Sequence, residues 1–401
     1  MASVRKRRLP SGVIVWQALW AVTVDGVRRQ QGRNFPTAKE AKRYAAEMAE
    51  TVERKGIADP DRQSVRVYLN KWLDHLEKRG QHSITTLPGY RLNVERACRY
   101  IGDIPLHKLT PRDLDTCYVD LLARGGWTQK RDESGRRMQR PLSARTVHHV
   151  HRALSTAFKQ AVRWRLIAEN PCTNASPPKP GKAVTRAMTE AEVLQVMDTA
   201  EAVTFYPGID VLARVLLIGG VRRSEALALC WDCVDIPGRT LTIRRSVVTG
   251  PNRQPVLRDN MTKSEAGRRV IPIDAELAAM LARHKLFILE QVVAFGPDYQ
   301  RTPLLCFPEV TGLPMKPDTA TSRMRFLLKR AGIEGVRLGT HVFRHTMGSH
   351  LVRRTDIVTV SRRMGHSRVS TTADIYLHGD EERDVEAGNL LGDIFSKRND
   401  S

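Results

Sequence analysis

Six residues of this chain carry side chains that together could break and remake a phosphodiester: Arg222, Lys263, His341, Arg344, His366 and Tyr376. Tyrosine alone is a poor nucleophile, with a phenol pKa of about 10. It becomes competent where cations neutralise the phosphate it attacks and an acid protonates the leaving oxygen. Each piece also has a bland alternative. Tyr376 is one of eight tyrosines, and an isolated tyrosine is ordinarily core or surface filler. Arg222 could be half of a plain surface ion pair, and a lysine in a polar turn usually faces water.

The local spacing favours the chemical reading. Gly219-Gly220-Val221-Arg222 follows the apolar run 211–218 and leads into a helical segment. Paired glycines permit close backbone approach and a helix start favours anions. An arginine fixed there can clamp phosphate oxygens bidentately, and Glu225, three residues on, can face and orient it. Lys263 falls in the polar turn 261–270, from which it can reach over a substrate and give its proton to a leaving alkoxide. His341 and Arg344 share a helix face, with Thr340 as the expected N-cap, Val342 and Phe343 turned to the core, and His345 in support. His341 and His345 are four apart, but no carboxylate adjoins them, so no metal site is expected. After Gly365-His366 a helix start is expected that returns Tyr376 toward His366.

These residues need elements to hold them. Residues 12 to about 56 read as a strand–strand–strand–helix unit. Trp16, Ala18, Trp20, Val22 and Val24 alternate onto one face, Asp25-Gly26 forms a hairpin turn, and Thr37–Glu40 is a capping-box start for a helix carrying Ala41, Tyr44, Ala45 and Met48. Residues 62 to about 170 read as helical. Val65, Tyr68, Leu69, Trp72, Leu73 and Leu76 form a buried stripe, Thr110-Pro111 starts a helix, and Ser143 caps another with Val147, Val150, Leu154, Ala157 and Ala161 inside. The basic stretch 125–141 reads as a mobile loop. Residues 177–182 are too proline-rich to continue a helix, and Thr189–Glu192 restarts one. Helices then run to about residue 390, interrupted by two short strands at 240–248 and 268–273. The apolar positions Leu390, Leu391, Ile394 and Phe395 suit docking on a neighbouring protomer or on the chain's own domain.

Bulk composition agrees. The chain has 401 residues, enough for two or three domains, and 41% apolar content, enough for real cores. Lys and Arg exceed Asp and Glu by 65 to 43, a net +22, which favours a polyanionic partner, nucleic acid first. No apolar run reaches membrane-spanning length, and the basic amino terminus lacks a signal-peptide apolar block. Six scattered cysteines fit a reducing compartment. Cys230-Trp-Asp-Cys233 has no second pair or nearby histidine and reads as packing at a helix end, metal or redox use being the minor alternative.

Gly220-Val-Arg222-Arg-Ser-Glu225, a lysine on a β turn, His341-x-x-Arg344, Gly365-His366 and Thr371-Thr-x-x-x-Tyr376 resemble the tyrosine recombinase, or phage integrase, signature. Their order and spacing over about 155 residues carry the resemblance. It implies a multidomain, mainly α fold. An arm-type DNA-binding domain would occupy 1–60, a small three-stranded sheet plus helix. A core-type DNA-binding helical bundle would span 62–175, a basic linker 176–187, and a mostly α catalytic domain with a small β insertion 188–401. Arg222 and Arg344 would hold the scissile phosphate with His341 and His366. Tyr376 would attack phosphorus, His341 would assist its deprotonation, and Lys263 would protonate the leaving 5′-hydroxyl. Lys179, Lys182 and Arg145 are DNA-contact candidates. The covalent link conserves the phosphodiester's energy, so no cofactor is implied. Implied partners are double-stranded DNA at core-type and arm-type attachment sites, a homotetramer on that DNA, and, as accessory candidates, a host DNA-bending protein and an excisionase. No membrane partner is implied. The expected location is the cytoplasm of a bacterial host, at the nucleoid. The expected function is integration and excision of a phage or mobile element. The alternatives are a dimer-resolving recombinase of the same family, whose members generally lack an arm module, and a non-catalytic DNA-binding protein on the same scaffold.

Overall fold

The computed structural model describes residues 3–8, 13–24, 27–55, 63–80, 84–131, 134–135, 137–181, 186–259, 268–301, 303–336, 338–376 and 389. The chain forms two compact units, Met1–Lys182 and Ala183–Ser401.

The first unit opens with an antiparallel sheet of β1 (Ser3–Arg8), β2 (Ile14–Val24) and β3 (Val27–Phe35), in that order. The basic segment ahead of the alternating run, to which the sequence reading gives no strand, is β1. Its Arg5 donates to Gln17 Oε1 at 2.9 Å and its Lys6 lies over the Trp16 ring. Glu40 N–H donates to Thr37 Oγ1 at 3.3 Å to start α1 (Ala38–Lys55), whose Ala41 and Ala45 pack on Ala18. The side chains of Trp20, Val22, Val24 and Met48, and the turn at Asp25-Gly26, lie outside the described residues.

A second core in this unit is built by α2 (Val65–Arg79), α3 (Thr86–Ile101), α4 (Pro111–Arg124) and α5 (Ala144–Arg163). The apolar stripe of α2 is buried at all six expected positions. Tyr68 shows why the stripe is more than greasy: its hydroxyl donates to the Ala157 carbonyl at 2.5 Å, satisfying a polar group that burial would otherwise penalise. Ser143 accepts from Thr146 N–H as the expected N-cap, and Thr110 with Asp113 forms a full capping box. One expectation is corrected. The stretch 125–141 is an antiparallel hairpin, β4 (Gly126–Arg131) with β5 (Arg137–Arg140). Its base is anchored from outside its own sequence, by the Arg99 guanidinium 5.3 Å from the Trp127 ring.

In the second unit, Thr189 and Glu192 form the expected capping box of α6 (Glu190–Glu201). The apolar run becomes α7 (Ile209–Gly219), followed by the single turn α8 (Arg223–Ala226). The β insertion is more divided than the sequence suggests. A three-stranded sheet joins β6 (Val234–Asp235), β7 (Thr240–Ile243) and β10 (Arg269–Pro272), while β8 (Arg245–Thr249) pairs separately with β9 (Pro255–Asp259). β6 and β9 are both unexpected strands, and in sequence Lys263 falls between β9 and β10, which belong to different sheets. Four helices complete the main core and the site: α9 (Ala275–Phe295), α10 (Pro317–Arg330), α11 (Thr340–Val352) and α12 (Ile357–Met364). The last described helix is α13 (Val369–Tyr376). The apolar tail positions Leu390, Leu391, Ile394 and Phe395 lie outside the described residues.

Cys230 and Cys233 are buried around a short 3-10 turn beyond α8. Burial pushes the Cys230 thiol up to about 11, which makes it a poor nucleophile and a poor ligand near neutral pH. No helix among the described residues is long and apolar enough to cross a membrane.

Candidate active site

The site grows from the carboxyl end of α12. A helix leaves its last carbonyls without intrahelical partners and concentrates partial negative charge there. Here three consecutive carbonyls each receive a different arginine: Arg363 O from Arg269 Nε at 2.7 Å, Met364 O from Arg344 Nη2 at 2.7 Å, and Gly365 O from Arg222 Nη2 at 2.9 Å. Gly365 stops the helix in the left-handed region, φ 64°, which lets His366 N–H reach back to Ser361 O at 3.1 Å. The Gly-His motif is therefore a helix stop that places His366 beside the three guanidiniums.

Arg344 belongs to α11 and is 7% exposed. Its other nitrogen, Nη1, donates to the Gly220 carbonyl at 2.5 Å, tying the end of α7 to the end of α12. Arg222 is held by Glu225, whose carboxylate accepts from the Arg222 backbone N–H at 2.9 Å and from its Nη1 at 2.7 Å. The Arg222 side chain keeps 40% exposure against 3% for Glu225, so the guanidinium is anchored through both terminal nitrogens yet still reaches the surface. The helix α11 starts at Thr340 with Gly339, not Thr340, at the N-cap. Thr340 is itself buried, so it fills the core and leaves the cap to a residue without a side chain. His341 stands exposed on the first turn.

Tyr376, at the end of α13, stacks on His345 with centroids 5.3 Å apart and planes at 24°. Its ring also lies against α11 at Gly348, where an added Cβ would come within 2.5 Å of the phenol oxygen. Burial raises the phenol to about 12, partly opposed by the Arg344 charge. Almost no phenolate exists at neutral pH in this seat, so the proton has to leave as the oxygen attacks. His366 moves the other way. Burial, then the charges of Arg344, Arg222 and Arg269, lower it to about 4, leaving a neutral ring above pH 5. Its Nδ1 meets Thr372 Oγ1 at 2.8 Å; with Thr372 donating, the Nε2–H is left to donate to a phosphate oxygen. Burial and Arg222 lower Arg344 to about 10, so it stays charged.

The structure thus brings together Arg222, Glu225, Arg344, His345, His366 and Tyr376. Lys263 lies outside the described residues. Arg145 and Lys179 are exposed in the first unit, and Lys182 lies outside the described residues. Sequence reading missed Thr372, although the paired threonines before Tyr376 were visible as a motif; only the fold shows that the fully buried one fixes His366. Thr372→Val should retain the helix but free the imidazole. Single-turnover strand cleavage is expected to fall about 10-fold, part of the roughly 10²–10⁴ a positioned acid–base group contributes, with DNA binding kept. An unchanged cleavage rate would show that Thr372 does not position His366.

Residues 186–383, a span holding all six catalytic candidates, match the model of the phage integrase family. Residues 186–383 are a phage integrase family domain. Among its curated relatives, the XerC-like tyrosine recombinase of Caldanaerobacter subterraneus subsp. tengcongensis is 28% identical, over 64% of this chain and 68% of its own length. The ICEBs1 integrase of Bacillus subtilis is 24% identical over 64% of this chain and 68% of its own. The Tn1549 transposon integrase, solved in complex with transposon right end DNA, aligns at a TM-score of 0.65 and 18% identity, covering 81% of this chain and 99% of that one. That likeness shows a shared integrase fold, with the mainly helical architecture and small antiparallel sheets described above.

Proposed function

We propose that this phage integrase family member is a site-specific recombinase that integrates and excises a phage or other mobile element. The carrying observation is the convergence of Arg222, Arg344 and His366 on the carboxyl end of α12, with Tyr376 seated on the adjoining helix. Arg222 and Arg344 take the nonbridging oxygens of the scissile phosphate, and His341 and His366 complete the cradle. Tyr376 Oη attacks phosphorus as its proton passes to His341. The P–O5′ bond breaks, Lys263 protonates the departing oxygen, and a 3′-phosphotyrosyl ester remains. Attack by a 5′-hydroxyl from a partner strand releases Tyr376 and makes the new phosphodiester.

On this reading residues 1–60 form the arm-type and 62–175 the core-type DNA-binding domain, 176–187 the linker and 188–401 the catalytic domain. Lys179, Lys182 and Arg145 contact DNA. Four protomers act on two duplexes, with a host DNA-bending protein and an excisionase as accessory factors, in a bacterial cytoplasm. Incubation with nicked duplexes carrying the element's end sequence should yield a denaturant-resistant protein–DNA adduct, and its absence on every such duplex would defeat the reading. Residues 1–60 separate integrase from dimer resolvase. Deleting them should abolish recombination between full attachment sites while sparing cleavage of a minimal core duplex. Unimpaired recombination by the deletion would favour the resolvase.

A further inference from the structure

We propose that Arg269 is a positioning residue of the reaction, coupling the strand that leaves the lysine-bearing segment to the Glu225–Arg222 pair and to the carboxyl end of α12. The inference rests on the recombinase reading for its catalytic part only. Arg269 is the first residue of β10, directly beyond the segment 260–267 that carries Lys263. Its side chain is 5% exposed, and its Nη2 donates to Glu225 Oε2 at 2.8 Å, the same oxygen that accepts the Arg222 backbone N–H. Its Nε donates to Arg363 O, the first of the three carbonyls described above.

Two features mark Arg269 as a support for Arg222. Its side chain is 5% exposed against 40% for Arg222, and its Nε–Nη2 edge is turned onto buried protein acceptors. And Glu225, at 3% exposure, serves two arginines at once. An ion pair removed from water holds only if both charges are matched and further hydrogen bonds satisfy them. Burial by itself would raise the Glu225 carboxyl. The charge and hydrogen bond of Arg269, then those of Arg222, outweigh burial and hold it below the usual carboxylate range. Without Arg269, Glu225 would hold Arg222 less firmly and ionise at higher pH. Arg269 therefore acts through Glu225 and Arg222.

The test compares wild type, Arg269→Met, Arg269→Lys, Glu225→Gln and the double variant Glu225→Gln/Arg269→Met in the full chain. The first readout is thermal unfolding against pH without DNA. Glu225 is ionised and paired in the wild type, so its stabilising effect is present above the unfolded carboxyl pKa. In Arg269→Met the folded pKa rises, so the Tm gap to wild type should widen as pH climbs from about 4 to 7. Between Glu225→Gln and the double variant, neither of which holds that carboxylate, the gap should show no such widening. The second readout is single-turnover cleavage of a nicked duplex. Arg269→Met should lose about 30-fold or more, most at the acid end of the profile, Arg269→Lys should recover part, and the double variant should be no worse than Glu225→Gln alone. A pH-independent Tm gap, or losses in the double variant that multiply, would overturn the proposal. The melting comparison stands whether or not the wild type cleaves DNA, so failure of the recombinase reading shows separately, as absent wild-type adduct.

Discussion

Tyr376→Phe is expected to abolish covalent capture of DNA on a nicked duplex while leaving duplex binding largely intact. The substitution deletes one oxygen and keeps the ring. The stack on His345 at 5.3 Å is a ring contact, and ring carbons share the close fit over Gly348 with the phenol oxygen, so α13 should stay seated on α11. What disappears is the only atom of that side chain able to form an ester with phosphorus. The expected loss is therefore to below detection, not a graded decline, because a missing nucleophile cannot be offset by stronger phosphate binding. DNA binding rests on the basic surface and should retain its salt dependence. Gel analysis under denaturing conditions reads the adduct, and a native shift assay reads binding. An adduct formed by the Phe variant would move the nucleophile elsewhere and remove the central residue of the proposed mechanism.

Much of this arrangement is legible in the sequence, for reasons that can be named. Capping boxes at Thr110 and Thr189 are local: side chain and acceptor lie three residues apart, so spacing alone predicts them. The buried stripe of α2 is likewise set by helical period. Arg222 and Glu225 are close in sequence, and their bond could be anticipated. The misses are all tertiary. The hairpin at 126–140 takes a contact from Arg99 of another helix, and β9 becomes a strand only because β8 lies beside it. The placement of Gly339 ahead of buried Thr340 reflects core packing, which overrode the better capping residue. Arg269 reads as one of several basic residues around the lysine turn until the fold carries it to Glu225 across 44 positions. The six catalytic candidates were legible because their order survives in one dimension, but the α12 terminus that gathers three arginines does not announce itself there.

Arg344→Ala is expected to damage stability and chemistry together, unlike Tyr376→Phe. Arg344 donates to Gly220 O at 2.5 Å and to Met364 O at 2.7 Å from a site 7% exposed. Truncation leaves two carbonyls without these donors, each costing about 1–3 kcal/mol where water cannot replace the bond. For a unit of this size the Tm should fall by roughly 5–15 °C. The chemical loss is separate. On the proposed mechanism a charged donor to the phosphate is removed, and loss of one such preorganised donor typically costs about 10²–10³ in rate. Arg344→Lys discriminates between the two effects. It restores a charge, but an ammonium lacks the planar fork that bridges two carbonyls while still facing substrate. It should therefore recover less of the cleavage rate than of the DNA affinity. Melting curves and single-turnover cleavage of the same preparations, taken below the variants' melting range, separate the losses. Wild-type cleavage by Arg344→Ala would remove this residue from the phosphate site and leave it a structural tie between α7 and α12.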